Sequence, residues 1–167
     1  MGMLALARID SRLIHGQVCT QWIMRTSAKR VIIIDDDITA DPFLFQVFML
    51  ATPVGITLDI YSTNEAGEKW KENKFGDPSP IIVLYKNVPM VYKAYHAGCK
   101  FVSLQVGGIG GGHGRKNVVG PIALDDEDGK MLNEMANDGM KIFFQPVPDS
   151  SIVEWPDVKK KYYKDLV

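Results

Sequence analysis

The sequence predicts an α/β fold, an open, mostly parallel twisted sheet with helices on both faces, in a single domain spanning 1–167. Three observations lead there. Short apolar runs rich in branched residues alternate with longer stretches of helical spacing along the whole chain. One run, Val31-Ile32-Ile33-Ile34, is apolar throughout, as a strand covered on both faces must be. The length of 167 residues suits one sizeable core, and no linker composition, repeat or low-complexity stretch divides it.

The elements follow in order. Met3 to Ile9 reads as the first strand, and a helix starts near His15 or Gly16 with Val18, Trp22 and Ile23 facing inward. The second strand, Val31 to Ile34, runs into Asp35-Asp36-Asp37. Asp41-Pro42 then supplies an N-cap and a proline at the first helical position. From Phe43 to Leu50 the helix is apolar nearly all round, which predicts burial, and Pro53 and Gly55 end it. Further strands are expected at Ile56 to Tyr61, Ile81 to Tyr85 and Phe101 to Gln105, with helices near Asn64 to Asn73 and Val88 to Ala97. After a glycine-rich connection, Asp125 to Asn137 reads as a helix whose acidic first turn complements its dipole. Lys141 to Phe144 is a last strand. Val158 to Leu166, with its lysine run, reads as a solvated surface helix or a frayed tail.

Composition narrows the function classes. A hydrophobic fraction of 46% and a charged fraction of 23% are ordinary for a globular protein. A formal net charge of −1 supplies no basic field for nucleic acid or an anionic membrane. No apolar run approaches the roughly 20 residues that span a bilayer. The amino terminus lacks the basic region of a signal peptide, and Cys19 and Cys99 have neither metal-ligand nor CxxC spacing. The expectation is a cytoplasmic domain with free thiols.

The chemistry concentrates in Arg8-Ile9-Asp10-Ser11-Arg12-Leu13-Ile14-His15-Gly16-Gln17-Val18. A histidine follows the first strand, on the edge where open α/β sheets bind ligands. Its neutral imidazole can accept a phosphoryl group, while Arg8 and Arg12 stabilise the arriving charge. If His15 opens the helix, the free N–H groups of Gly16, Gln17 and Val18 serve the same oxygens. Asp10 could orient an arginine or fix the imidazole tautomer. The competing reading is a strand-to-helix connection whose charges face water. Gly107-Gly108-Ile109-Gly110-Gly111-Gly112-His113-Gly114 matches neither G-x-G-x-x-G nor a Walker A loop. Gly107 and Gly108 form either an anion-binding nest or a connection without chemistry. Asp35 to Asp37 could hold a hard cation, but turn chemistry and helix capping explain the run as well and are the favoured reading. His96, beside Tyr92 and Tyr95 in a helical pattern, reads as packed or exposed.

Arg8 to Val18 closely resembles the active-site signature of the IIB components of mannose/fructose/sorbose-type sugar phosphotransferase systems. Ile32-Ile33-Ile34-Asp35-Asp36 resembles that family's second strand and acidic turn. Gln105-Val106-Gly107-Gly108 resembles its asparagine-valine-glycine-glycine turn, with Gln105 in place of asparagine. Gly139-Met140-Lys141 through Pro146-Val147-Pro148 is similar to its last strand and turn. The resemblance implies a transferase in which His15 takes a phosphoryl group from a IIA protein or domain. His15 then passes it to a sugar carried by the membrane subunits IIC and IID, at the inner face of the membrane. It implies neither metal nor nucleotide cofactor and no nucleic-acid partner. Mannose, fructose, sorbose, N-acetylgalactosamine and galactosamine all remain open as substrates, as does self-association. A histidine phosphatase or mutase is the alternative, but that group carries arginine immediately before its histidine, where Ile14 stands here. A nucleotide-binding module using the glycine loop is a third reading. The surface around His15 is expected to dock two successive partners, with Leu13 and Ile14 supplying apolar contact.

Overall fold

The computed structural model describes residues 3–76 and 78–167, with the side chains of Gln17 and Val18 outside that description. The chain runs β1 (Met3–Asp10), α1 (Gly16–Thr26), β2 (Arg30–Ile34), α2 (Asp36–Thr39), α3 (Pro42–Ala51), β3 (Thr57–Tyr61), α4 (Thr63–Asn73) and β4 (Pro80–Tyr85). It continues α5 (Val88–Ala97), β5 (Ser103–Gly108), β6 (Lys116–Val119), β7 (Ile122–Leu124), α6 (Asp126–Asn137), β8 (Lys141–Phe144), β9 (Val153–Glu154) and α7 (Trp155–Tyr162). One sheet has the order β3-β2-β4-β1-β5-β8-β9, parallel except for β9, and β6 pairs antiparallel with β7. The fold class expected from the sequence is the one observed.

The two-residue period of the strands sorts their side chains into two cores. Ile32 and Ile34 of β2, with Ile81, Val83 and Tyr85 of β4, join residues of α4 to α7. Val31 and Ile33, with Ile82 and Leu84, join Trp22 and Ile23 of α1. Both faces of these central strands are dry, so their sequences are continuous apolar runs. α4 and α5 pack closely enough that a Cβ on Gly67 would overlap the backbone carbonyl of Ala97.

β1 lies between β4 and β5. From β1 the chain crosses towards β2 on one side, and from β5 it continues to β8 on the other. The divergence opens a crevice beyond the carboxyl ends of β1 and β5, the place where such sheets bind ligands. The two loops are tied there, Ser11 N–H donating to the Gly108 carbonyl at 2.8 Å.

Two expectations are revised. α3 was expected to be largely buried, yet none of its residues is: Phe43 is 75% and Leu50 84% exposed. Only one side of it, Phe45 and Phe48, packs against the second core, and nothing covers the other. Of the two readings of the carboxyl-terminal segment, the helix and not the frayed tail is observed, though it is not wholly solvated. α7 begins at Trp155 and buries Trp155, Val158 and then Tyr163, leaving the lysines outside. The glycine-rich connection continues into the β6–β7 hairpin, and the acidic turn holds the short α2. The Val18 expectation lies outside the described residues. Among those described, no helix is long and apolar enough to cross a membrane.

Candidate functional site

The site is built on the last turn of β1. Arg8 and Gln105 share a register on neighbouring parallel strands and face the same side of the sheet. Arg8 Nη1 donates to Gln105 Oε1 at 2.6 Å and to the Gln145 carbonyl at 2.9 Å. Its Nη2 donates to the Pro146 carbonyl at 2.8 Å and reaches Asp10 Oδ2 at 3.4 Å. The guanidinium carbon lies 5.1 Å from the centre of the Trp22 ring. Burial pulls the Arg8 pKa below its ordinary value, and Asp10 opposes the shift. Arg8, expected to stabilise an arriving charge, is therefore buried and bound to two backbone carbonyls, Gln105 and Asp10, while still lining the cleft beside Arg12.

Asp10 is buried and shared. Its Oδ1 accepts from the Arg12 backbone N–H at 3.1 Å and lies 3.8 Å from Arg12 Nε. Its Oδ2 sits between Arg8 and His15 Nε2, the latter at 3.9 Å. Gly107 and Gly108 leave room for this pair. A Cβ on Gly107 would overlap the Arg8 guanidinium, and one on Gly108 would press to 3.0 Å of Asp10 Oδ1. Of the two readings left open for Gly107 and Gly108, an anion nest or a connection without chemistry, the structure adds that the space beside both holds the protein's own Arg8 and Asp10. The space around Gly110, Gly111 and Gly114 is open, a Cβ on Gly112 would meet only the Arg115 side chain at 3.7 Å, and His113 is exposed.

From Asp10 the chain turns tightly. Leu13 N–H donates to the Asp10 carbonyl at 2.9 Å, and Leu13 takes a left-handed φ of 57°. For a branched side chain that conformation costs roughly 1–2 kcal/mol, offset here by burial of Leu13 in the second core. Both Leu13 and Ile14 are buried, which corrects their expected part in docking.

His15 is the N-cap of α1, with extended φ and ψ and no capping bond from its side chain. α2, α3, α4, α5 and α6 are instead capped by Asp35, Asp41, Ser62, Asn87 and Asp125. His15 thus offers no capping oxygen to the first-turn N–H groups of Gly16, Gln17 and Val18, and no acidic residue occupies that turn. Gly16 has a φ of 36°, and the space around it is open. The His15 side chain is 20% exposed. Its Nδ1 lies 3.0 Å from the Leu13 carbonyl oxygen, while Nε2 is closed to solvent and has no hydrogen-bond partner. A groove of about 420 Å³ passes over the ring, lined by Ile14, His15, Gly16, Cys19, Ala51 and Pro53. A second cleft of about 310 Å³ lies beside it, lined by Ser11, Arg12, Gly107, Gly108, Pro121 and Pro146. Arg12 is the exposed cation at its rim, 65% accessible at the side chain.

The structure therefore joins Arg8, Asp10, Arg12, His15 and Gly108 in one constellation and leaves the other histidines apart. His96 pairs with Glu134 at 3.2 Å on the α5–α6 face. The acidic run is spent on structure. Asp35 caps α2, and Asp36 binds Thr63 and Lys93. Among the described residues no group of three or more histidine, cysteine or acidic side chains could hold a metal. Sequence reasoning missed Gln105, Gln145 and Trp22 as the partners that fix Arg8. The available signal was Gln105, a lone polar residue between Leu104 and Val106 at the height of Arg8.

Comparison with known proteins decides the family. The model of the PTS system sorbose subfamily IIB component matches residues 4–166. The chain belongs to this IIB family. It is 30% identical over 139 residues to the sorbose-specific EIIB component of Klebsiella pneumoniae, covering 83% of this chain and 84% of that one. It is 26% identical over 162 residues to the mannose-specific EIIAB component of Escherichia coli (strain K12), covering 97% of this chain and 50% of the relative. The chain thus spans about half the length of the mannose-specific relatives it matches. The IIB fold is equally plain. The structure of manxB from Thermoanaerobacter tengcongensis superposes with a TM-score of 0.87 at 27% identity, over 98% of both chains. The IIBSor domain of the sorbose permease from Klebsiella pneumoniae gives 0.86 at 28% identity, over 96% of this chain and 98% of that one.

Proposed function

We propose that this IIB chain is a phosphohistidine carrier in sugar uptake, accepting a phosphoryl group on His15 from a IIA protein and passing it to a sugar. The observation that carries the reading is the state of His15. It is the one histidine placed at an uncapped helix N-terminus, under an open groove, with a buried carboxylate behind it. With Nε2 closed, the phosphoryl group reaches the ring at Nδ1. The bond from Nδ1 to the Leu13 carbonyl places a proton on Nδ1 at rest, because a carbonyl only accepts. For acceptance that proton moves to Nε2, and the ring turns from the carbonyl so that Nδ1 presents its lone pair. The P–N bond to the donor histidine then breaks, its electron pair staying with the donor, as the P–Nδ1 bond forms. Asp10, 3.9 Å from Nε2, stabilises the positive ring. Arg12 and the N–H groups of Gly16, Gln17 and Val18 compensate charge on the phosphoryl oxygens.

In the second transfer a sugar hydroxyl attacks phosphorus, its proton leaving to solvent or a partner's base, and the P–Nδ1 electron pair returns to His15. The substrate is a hexose or amino sugar, the class named for the relatives, which are mannose-, sorbose-, fructose- and N-acetylgalactosamine-specific. IIC and IID subunits would present it and hold the chain at the inner membrane face. Ile14, packed inward where a histidine phosphatase carries arginine, speaks against the phosphatase alternative. The test is labelling from phosphoenolpyruvate through the general phosphotransferase proteins and a matching IIA. One acid-labile phosphate is expected, with phosphorus–nitrogen coupling to His15 Nδ1 by NMR. Equal labelling of His15→Ala overturns the assignment, and coupling to Nε2 overturns the choice of nitrogen.

A further inference from the structure

A small cavity of about 10 Å³ lies beneath the acceptor, between the end of β1 and the inner face of α1. Arg8, Asp10, His15 and Trp22 line its polar side, with Leu13 and Ile82 among its apolar walls. One water molecule needs roughly 10–15 Å³ of such space, so the cavity suits one and is too small for two. Two of its walls carry buried polar atoms without a protein partner, His15 Nε2 and Trp22 Nε1. The indole N–H can only donate. Nε2 can only accept at rest, because the ring proton sits on Nδ1 against the Leu13 carbonyl. A third polar atom is near. Asp10 Oδ2 stands 3.9 Å from Nε2, beyond a direct hydrogen bond and at a separation where water bridges.

Chemistry selects the occupant. The set needs a group that accepts from Trp22 and donates to Nε2 and Asp10, which an ammonium ion cannot do. An anion would lie against the Asp10 carboxylate. We infer that the cavity binds a single water, anchored by Trp22, that links His15 Nε2 to Asp10 and makes Trp22 a positioning residue for the transfer. The positioning role rests on the carrier function proposed above. At rest the water accepts from Trp22 and donates to Nε2 and to Asp10 Oδ2. Once Nδ1 carries the phosphoryl group and Nε2 the proton, the water accepts from Nε2–H and still donates to Asp10. Unlike a fixed side chain, it follows Nε2 as the ring turns. The positive ring thus feels Asp10 while that carboxylate keeps its contacts with Arg8 and the Arg12 N–H. Arg8, stacked on the Trp22 ring, steadies the indole.

The water is read first in unphosphorylated protein, where the carrier function plays no part. A high-resolution crystal structure should show one ordered water within hydrogen-bond distance of Trp22 Nε1 and His15 Nε2. In solution the Trp22 indole N–H should give an NOE to water. A dry cavity overturns the inference. The role is read in two variants. Trp22→Phe keeps an aromatic face for Arg8 and loses the N–H. A benzothiophene analogue of Trp22 loses the N–H with its shape unchanged, and decides the matter if Trp22→Phe fails to fold. Labelling of His15 from phospho-IIA should show kcat lowered about fivefold or more in both, the worth of one modest hydrogen bond. KM should stay unchanged, because Trp22 is buried. An unchanged kcat, with or without a raised KM, overturns the positioning role. Failure of wild-type His15 to label overturns the carrier function and that role with it, while the water site stands or falls on the crystal structure and the NOE.

Discussion

Arg8 and Arg12 are four residues apart and bear the same charge, but their surroundings give them different work. Arg8 is enclosed by Gln105, two carbonyls, Asp10 and the Trp22 face, and removing it would leave Asp10 buried without its partner. Losses of that kind run to roughly 3–5 kcal/mol. Arg12 donates its backbone N–H to Asp10 and approaches the same carboxylate only loosely, Nε at 3.8 Å, so its 65% exposed guanidinium has room to turn towards a phosphoryl group. Arg12→Lys should therefore keep the fold and slow transfer by roughly tenfold or more, at least about 1.4 kcal/mol in the barrier, because a point charge replaces a bidentate fork. Rapid-quench kinetics in both directions check this, and wild-type rates would remove Arg12 from the site. Of these residues, the sequence shows the histidine, the carboxylate and both cations, because all lie within one short motif. It does not show which cation is exposed. That depends on Gln105, Gln145 and Pro146, contributed by other parts of the chain.

The parallel strands and the long helices are legible because each carries its own period or cap. Asp41-Pro42 marks the start of α3, and the apolar run Val31 to Ile34 marks a strand dry on both sides. What escapes is whatever depends on a neighbour. The apolar composition of α3 announces burial, yet the sheet face it borders is already filled by α1, leaving cover for Phe45 and Phe48 alone. The β6–β7 pair and β9 are too short to show a period, and their partners are set by the tertiary fold. A prediction belongs to this scale. Gly67 sits where α4 meets α5, and its added Cβ would strike the Ala97 carbonyl, a backbone atom that cannot turn aside. Helix propensity favours alanine by about 1 kcal/mol, but overpacking costs roughly 1–3 kcal/mol. Gly67→Ala should lower the urea midpoint without changing the slope of the transition, and a raised midpoint would show that the helices can part.

Across the whole molecule, Asp36 joins three elements, from α2 to Thr63 at the start of α4 and to Lys93 on α5. Burial alone would raise its carboxyl pKa, but the bonds from Lys93 and Thr63 outweigh it and hold the group below the usual carboxylate range. A depressed folded pKa gives stability that is complete above the unfolded value, near pH 4, and lost as pH falls through the folded value. Asp36→Asn should therefore be less stable than wild type at pH 7 and lose less on acidification, as urea midpoints across that range would show. Parallel midpoints would free Asp36 of this role. The ties around Arg8 reach further, joining β1 to Gln145 and Pro146, so they also impose an order in time. His15 leaves the ribosome well before residues 145 and 146, and β1 lacks its neighbours until β4 and β5 are made, while Arg8 lacks those two carbonyls until residues 145 and 146 follow. The histidine is synthesised well ahead of its support. A nascent chain halted before Gln145 therefore carries His15 without the scaffold that steadies it.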